Sequence, residues 1–88
     1  MGKMSAVCEF VHDGDTFRTT KQSWIRLARY DAPKEDKPNY SKASRLLSSL
    51  ILDRAIEYEQ FGTSYNRIVA EVWQGGKNIN DIMIRSGY

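Results

Sequence analysis

Two carboxylates and one arginine are the residues of this chain whose types and spacing suggest chemistry. Asp15 ends the turn Asp-Gly-Asp (13–15), Asp31 lies shortly before Pro33, and Arg26 lies between them in the chain. Carboxylate oxygens bind hard cations, and a guanidinium group binds two phosphate oxygens at once. If these segments meet in the fold, the set suits metal-assisted cleavage of a phosphodiester. Taken alone, Asp-Gly is more typical of a simple hairpin turn, so the other motifs must decide.

Length and composition predict one globular domain with a modest core. The chain has 88 residues, 41% of them apolar and 27% charged, which excludes a disordered tail. Its formal charge of +2 is too small to imply nucleic-acid binding by itself. The distribution is more informative, because residues 1–45 carry nine Lys or Arg against six Asp or Glu. The candidate site therefore lies in the positive half, which would attract a polyanion.

The cysteine content and the hydropathy bear on the compartment. Cys8 is the single cysteine, which excludes an internal disulfide, and its apolar surroundings predict a core position. The chain has no apolar run long enough to span a bilayer, and no signal-peptide core follows Met1. We therefore expect a cytoplasmic monomer without a membrane partner, or a secreted protein if a signal has been removed.

Three strands are expected to position the candidate residues. The predicted segments are 5–12, 16–20 and 24–30, of which the first two flank the Asp-Gly-Asp turn. The adjacent apolar residues Phe10 and Val11 break strict alternation, which predicts a bulge just before the turn. A long loop over 31–40 follows, with two prolines and five charged residues.

A helix over 41–54, with Ser41 as its N-cap, is predicted by one apolar stripe at helical spacing. Strands over 55–61 and 67–74 follow, joined by a turn in which Asn66 adopts a left-handed backbone. Asn78 is then expected to cap a short helix that Gly87 ends. This order predicts an α+β, mainly β fold: a five-stranded OB-fold barrel with a helix after strand 3 and a C-terminal helix.

Four motifs in register resemble the staphylococcal nuclease (thermonuclease) family. They are Asp-Gly-Asp-Thr (13–16), Ile-Arg-Leu leading to Asp-Ala-Pro (25–33), Tyr-Asn-Arg (65–67), and Asn-Ile-Asn-Asp with a helix ending Ser-Gly-Tyr (78–88). The resemblance covers essentially the whole chain, so residues 1–88 would form a single nuclease-like domain. It implies an OB barrel and calcium-dependent cleavage of DNA and RNA with little sequence preference.

The resemblance also implies roles for individual residues. Asp15 and Asp31 match the family's Ca²⁺-binding carboxylates, and Ala32 stands where a backbone carbonyl completes the metal shell. Arg26 and Arg67 match the two catalytic arginines, which bind phosphate through a planar fork that stays charged at any relevant pH.

The residue that follows Asp-Ala-Pro departs from the family pattern. Many members have a glutamate there, which positions or deprotonates the attacking water, whereas this chain has Lys34. Glu35, one residue later, is the alternative catalytic carboxylate, although the spacing fits the family without such a slip. Lys34 is assigned to the substrate side of the site, together with Tyr65, which matches an aromatic residue that contacts the nucleotide.

Three functions follow from the sequence. The first is a calcium-dependent endonuclease acting on DNA or RNA, slowed by Lys34, since a missing general base typically costs about 10²–10⁴-fold in rate. The second is a catalytically degenerate domain that binds nucleic acid without cutting it, and the third is a protein-interaction module on the same barrel. Many family members continue into a third helix beyond the point that corresponds to Tyr88, so this chain is expected to be either a shortened form that lacks the helix or a piece of a larger protein.

Overall fold

The computed structural model describes residues 2–88 and contains two helices and six strands. In chain order the elements are β1 (Met4–Asp13), β2 (Thr16–Thr19), β3 (Trp24–Leu27), α1 (Tyr40–Ile51), β4 (Ala55–Ser64), β5 (Arg67–Gln74), β6 (Lys77–Asn78) and α2 (Ile79–Arg85). No helix within residues 2–88 has the length and apolar character needed to cross a lipid bilayer.

The strands form one sheet that closes on itself. Its order is β3-β2-β1-β4-β5-β6 with antiparallel neighbours, and a parallel pairing between β3 and β5 joins the two sides. In that pairing, which we call the seam, Arg26 lies opposite Val69 and Leu27 lies opposite Ala70. The mainly β, α+β barrel of OB type is therefore confirmed. The two-residue β6 adds a sixth strand to the five predicted, because two residues after Gly75-Gly76 carry no visible alternation.

The barrel interior is filled by apolar side chains from every main strand and from one face of each helix. Ile25, Leu27 and Ala70 are fully buried from the strands, and Leu47 and Met83 are fully buried from the helices. Cys8 is also buried, as predicted, and burial raises the pKa of its thiol to about 11. The thiol therefore stays protonated at neutral pH, which is typical of a cysteine in a protein core.

The predicted bulge before the Asp-Gly-Asp turn is confirmed. The register of β1 against β2 shifts between Cys8 and Phe10, and again between Val11 and Asp13. Extra residues on one strand change the direction in which the following side chains point. The bulges in β1 therefore change the direction of the acidic side chain at its end, Asp13.

Several predicted element boundaries differ from those of the structure. Strand 3 was expected to reach Tyr30, but it ends at Leu27, and Arg29 turns the chain with a positive φ of 66°. Helix α1 begins at Tyr40 and ends at Ile51, so Ser41 lies inside it. The N-cap is Asn39, whose left-handed backbone (φ 72°) turns the chain into the helix without a side-chain hydrogen bond. Asparagine is among the residues that tolerate this conformation.

The second hairpin and the C-terminal helix follow the predictions more closely. Asn66 has a positive φ of 66°, as expected, but the turn contains only Tyr65 and Asn66, since β4 extends to Ser64. Two consecutive left-handed residues are typical of a tight two-residue hairpin turn. Asn78 caps α2, as predicted, with its side chain accepting a hydrogen bond from the Asp81 N–H at 2.8 Å.

Candidate functional site

Asp15 is held at the centre of the candidate site by three hydrogen bonds. Its backbone N–H donates to Asp13 Oδ1 at 3.0 Å. Its carboxylate accepts from the Thr16 hydroxyl (2.8 Å, Oδ1) and from the Ala32 N–H (2.9 Å, Oδ2). The last bond crosses from the β1–β2 turn to the loop after β3, so the two segments that sequence reasoning paired do meet.

The pKa values of the two carboxylates in the turn, Asp13 and Asp15, are shifted in opposite directions. Burial alone would raise the pKa of Asp15, but the hydrogen bonds from Asp13, Ala32 and Thr16 and the nearby Arg26 outweigh it and hold this pKa below its ordinary value. Burial and the contact with Asp15 raise the pKa of Asp13. Asp15 is therefore the carboxylate that stays ionised, which is the form needed to bind a cation.

Gly14 allows the turn to lie against the first helix. A Cβ atom at this position would come within 2.7 Å of the Ala43 Cβ on α1 and 3.0 Å of the Ala32 Cβ. Real side chains do not approach this closely, so the absence of a side chain at Gly14 sets the distance between the turn, the helix and the Ala32 loop.

Arg26 brings the second carboxylate into the site. Its Nη2 lies 3.4 Å from Asp15 Oδ2 and donates a hydrogen bond to Asp31 Oδ1, while its Nη1 donates to the Leu27 carbonyl at 3.0 Å. The Asp31 side chain is 90% exposed, whereas that of Arg26 is only 21% exposed. Two carboxylate oxygens thus converge on one cationic nitrogen atom at the barrel surface.

Arg67 reaches the same cluster from the other side of the seam. Its Nη1 donates to the Thr16 hydroxyl at 3.3 Å, and its Nε donates to the Ser64 carbonyl at 3.4 Å. Thr16 lies opposite Arg26 in the β2–β3 register, so a continuous line of polar contacts runs from Arg26 through Asp15 and Thr16 to Arg67. Within residues 2–88, no carboxylate lies within ion-pair distance of Arg67.

The remaining predicted residues lie around this cluster. Tyr65, in the β4–β5 turn, is 90% exposed. Lys34 and Glu35 are exposed and lie in a turn closed by a hydrogen bond of 2.8 Å from the Lys37 N–H to the Lys34 carbonyl. Across the described part of the chain, neither of these two side chains makes a hydrogen bond or an ion pair with the acids.

Thr16 is the residue at the centre of the site that sequence reasoning missed as a participant. It appeared only as the last letter of the Asp-Gly-Asp-Thr motif, with no role of its own. Its function as a link depends on Arg67, which is 51 positions away in the chain, so only the closed barrel reveals it.

A comparison with protein families identifies the family of this chain. A family model described as staphylococcal nuclease homologue matches residues 24–88, well over half of the chain. The chain belongs to the staphylococcal nuclease homologue family. The matched range includes Arg26, Asp31 and Arg67, and it begins after the turn that carries Asp15. A search among curated proteins returned no significant match.

Membership of this family indicates a nuclease-related function. Domains of the family bind nucleic acid and generally use Ca²⁺. The donor types present fit such a hard cation, since Asp15, Asp31 and the Ala32 carbonyl all offer oxygen. The two carboxylates already share one cationic partner, the Arg26 guanidinium. No group of three His, Cys, Asp or Glu side chains able to hold a metal occurs within residues 2–88. Ca²⁺ prefers 6–8 oxygen ligands, so most of its shell would come from water and substrate.

Proposed function

We propose that this domain is a calcium-dependent endonuclease that binds DNA or RNA at Arg26 and Arg67 and cleaves it slowly. The observation that carries the proposal is the line of contacts that joins both guanidinium groups through the Asp15 carboxylate and the Thr16 hydroxyl. Two forked cations joined through an ionised carboxylate are suited to a phosphodiester bound beside a metal.

The two arginines would contribute differently. Arg67 has no acidic partner within residues 2–88, so its charge is available to a phosphate without breaking an ion pair. Arg26 is shared between Asp15 and Asp31, and a phosphate must compete with the exposed Asp31 for it. We therefore assign initial phosphate binding to Arg67, with Arg26 stabilising the charge that develops during cleavage.

Calcium would be held by Asp15, Asp31 and the Ala32 carbonyl. When bound, this ion neutralises charge on the phosphoryl group. The lowered pKa of Asp15 supports the assignment, because the carboxylate is ionised well below neutral pH. The residues of the chain supply the rest: Thr16 and Ala32 orient the Asp15 carboxylate, and Arg67 orients the phosphate.

The slow rate follows from the residue after Pro33. Lys34 cannot accept a proton from water at neutral pH, because an ammonium group has no lone pair to offer. Glu35, the residue after Lys34, does carry a carboxylate. It is exposed and lies in the turn that begins at Lys34. Recruiting Glu35 would require this turn to move, so we expect cleavage that is detectable but slow.

A second function, nucleic-acid binding without cleavage, is favoured by one specific observation. Arg26 lies within ion-pair distance of both proposed carboxylate ligands, and Lys34 adds a second positive charge in the adjoining loop. Positive charge beside Asp15 and Asp31 opposes calcium binding while still attracting phosphate.

Plasmid nicking distinguishes the two functions. Supercoiled plasmid is incubated with the wild-type domain, with Arg67→Ala and with Arg45→Ala, which removes an exposed arginine of α1 as a matched control, in calcium or in chelator. We expect slow nicking by the wild type and the control in calcium only, and none by Arg67→Ala. Binding that depends on Arg67 but produces no nicks would establish the second function instead. Nicking that persists in chelator would contradict the calcium requirement.

A further inference from the structure

A cleft lies between helix α1 and the C-terminal turn of the chain, and it shares no lining residue with the candidate site. Its volume is about 460 Å³. Lys42, Arg45 and Leu46 line it from α1, and Ser86 and Tyr88 line it from the residues after α2. This volume falls within the range of ligand-binding clefts, roughly 300–1,000 Å³. We call it the helical cleft.

The C-terminal turn forms one wall of this cleft, and hydrogen bonds hold that wall in place. The Ser86 hydroxyl donates to the Met83 carbonyl at 2.6 Å, and Gly87 then turns the backbone with a positive φ of 81°. The hydroxyl group of the buried Tyr30 donates to the Tyr88 carbonyl at 3.3 Å. The backbone of Tyr88 is therefore fixed to the barrel, while the residue stays 38% exposed and can contact a ligand.

The opposite wall combines one apolar residue with two positive charges. Lys42, Arg45 and Leu46 are separated by three and four positions, so they lie on one face of α1. Lys42 and Arg45 are exposed, and Leu46 is partly buried. The helical cleft therefore offers apolar contacts from Leu46 and Tyr88 together with two cations from α1.

These positive charges have no acidic partner in the part of the chain that the structure describes. Helix α1 contains no acidic residue. Neither Lys42 nor Arg45 lies within ion-pair distance of a described carboxylate, and the same holds for Arg85 in the last turn of α2. By contrast, Arg18 and Arg29 each pair with a carboxylate. The unneutralised cations favour an anionic ligand.

Shape and charge together narrow the class of ligand. A lipid surface is flat and does not fill a cleft. A second copy of the chain in a two-fold dimer would bring the same cations against each other. The phosphates of a nucleic acid would meet the cations but leave the apolar surface of Leu46 and Tyr88 unused. A protein segment that carries both carboxylates and a large apolar side chain contacts the cations and the apolar surface at once.

We propose that the helical cleft docks an acidic amphipathic helix of a partner protein. One large apolar side chain of this helix enters between Leu46 and Tyr88, and neighbouring carboxylates pair with Lys42 and Arg45. Docked helices present their contact residues at three- and four-residue spacing, which is also the spacing of the cleft residues on α1. The inference is independent of the proposed function, because none of these residues belongs to the proposed phosphate or metal site.

A fluorescein-labelled model peptide tests this docking. It has about 14 residues, with leucine on one helical face and glutamate on the other. One control peptide has the same residues in an order that spreads leucine around the helix, and a second has lysine in place of every glutamate. Fluorescence anisotropy should show binding of the first peptide only. In a ¹⁵N-labelled domain, this peptide should shift the amide resonances of residues 42–46 and 86–88 and leave those of residues 13–16 unchanged.

Two variants with matched controls locate the binding. Arg45→Glu should weaken peptide binding by roughly 3- to 10-fold, because an exposed ion pair is lost and a repulsion replaces it. Arg54→Glu makes the same change at an exposed arginine outside the cleft, and it should have little effect. Tyr88→Ala should weaken binding by a similar factor through the loss of apolar contact. Phe61→Ala removes a different exposed ring and should not weaken it.

Four results would overturn the proposal. The first is equal peptide affinity in Arg45→Glu and Arg54→Glu, and the second is no binding of the amphipathic peptide to the wild type at about 1 mM. The third is a loss of hexathymidylate binding in Arg45→Glu but not in Arg54→Glu, which would make nucleic acid the ligand of the cleft. The fourth is self-association of the wild type that Tyr88→Ala abolishes, which would make a second copy the occupant.

Discussion

Under the proposed function, Lys34 is the residue on which the rate of cleavage most depends. Replacing it with glutamate places a carboxylate directly after Pro33 and removes a positive charge from the loop that carries Asp31. We expect Lys34→Glu to raise calcium-dependent cleavage by roughly 10²-fold, the typical contribution of a general base. The measurement is the initial rate of plasmid nicking at saturating calcium.

Lys37→Glu is the matched control, because it makes the same charge change three positions later in the same exposed loop. A similar gain in the control would assign the effect to charge alone. Fast wild-type cleavage that Glu35→Gln abolishes would instead identify Glu35 as the base. No gain from Lys34→Glu, with calcium binding demonstrated by calorimetry, would place the defect elsewhere.

Thr16 joins the two halves of the candidate site through one hydroxyl group. Thr16→Val keeps the shape but removes the buried hydrogen bond to Asp15 and the partly buried hydrogen bond from Arg67. We expect a loss of about 1–2 kcal/mol in the free energy of unfolding and a similar loss in binding of a nucleoside bisphosphate. Thr63→Val, at an exposed position of β4, is the control. Equal ligand affinity in the two variants would remove Thr16 from the site.

At the scale of elements, the close approach of the Asp-Gly-Asp turn to helix α1 sets the position of Asp15. Gly14→Ala would force its new methyl group against Ala43 at 2.7 Å. Overpacking of this kind typically costs about 1–3 kcal/mol, and it would also displace the turn that carries the proposed metal ligand Asp15. Gly62→Ala is the control, because nothing lies within 4 Å of a Cβ there. Urea unfolding compares the two, and a Gly14→Ala as stable as the control would show that α1 yields easily.

A polar network attaches helix α2 to the barrel and gives it a pH dependence. Arg29 donates two hydrogen bonds to Glu71, at 2.8 and 2.7 Å, and one to Asp81 at 2.8 Å. The Arg29 bonds hold the pKa of Glu71 below its ordinary value. A lowered pKa in the folded state stabilises the fold above the unfolded-state pKa, about 4.3 for glutamate. That stability is lost as the pH falls through the lower, folded-state value.

We therefore expect the thermal midpoint to fall as the pH drops below about 4, the range set by the unfolded-state pKa. Glu71→Gln should have a lower midpoint at pH 7 and a weaker dependence on acid. Thermal melts of both proteins between neutral and acid pH test this expectation. Parallel curves for the two proteins would show that Glu71 contributes nothing to the acid transition.

The sequence predicted those elements well whose bounds depend on a local pattern of residues. It predicted less well the bounds that depend on how the barrel closes. The apolar alternation of β3 and β5 and the Asn78 cap are local, and they were predicted. The end of β3 depends on the positive φ of Arg29, which carries no sequence signal, because arginine rarely adopts it. The acids and arginines were recognised by type, but the arrangement that joins them depends on the seam between β3 and β5.

At the scale of the whole molecule, a ligand bound by both arginines would contact both strands of the seam. Arg26 lies on β3 and Arg67 on β5, so a bound nucleoside bisphosphate should stabilise the closed form. At a ligand concentration of 100 Kd the gain is about 2.7 kcal/mol, which should raise the thermal midpoint by roughly 11–22 °C in a domain of this size. Arg67→Ala should lose most of this shift. An undiminished shift in that variant would place the ligand elsewhere.

The seam also determines when in folding the site can exist. Arg26 and Val69 pair across a stretch of chain that includes α1 and β4, whereas the β1–β2 and β4–β5 hairpins are local. Long-range pairings must first overcome the entropy of closing the intervening loop, so they are expected to form late. A nascent or partly unfolded chain would carry Asp15, Arg26 and Arg67 without bringing them together. The domain would therefore acquire its affinity for nucleic acid in the last step of folding, and a partly folded chain would not compete for substrate.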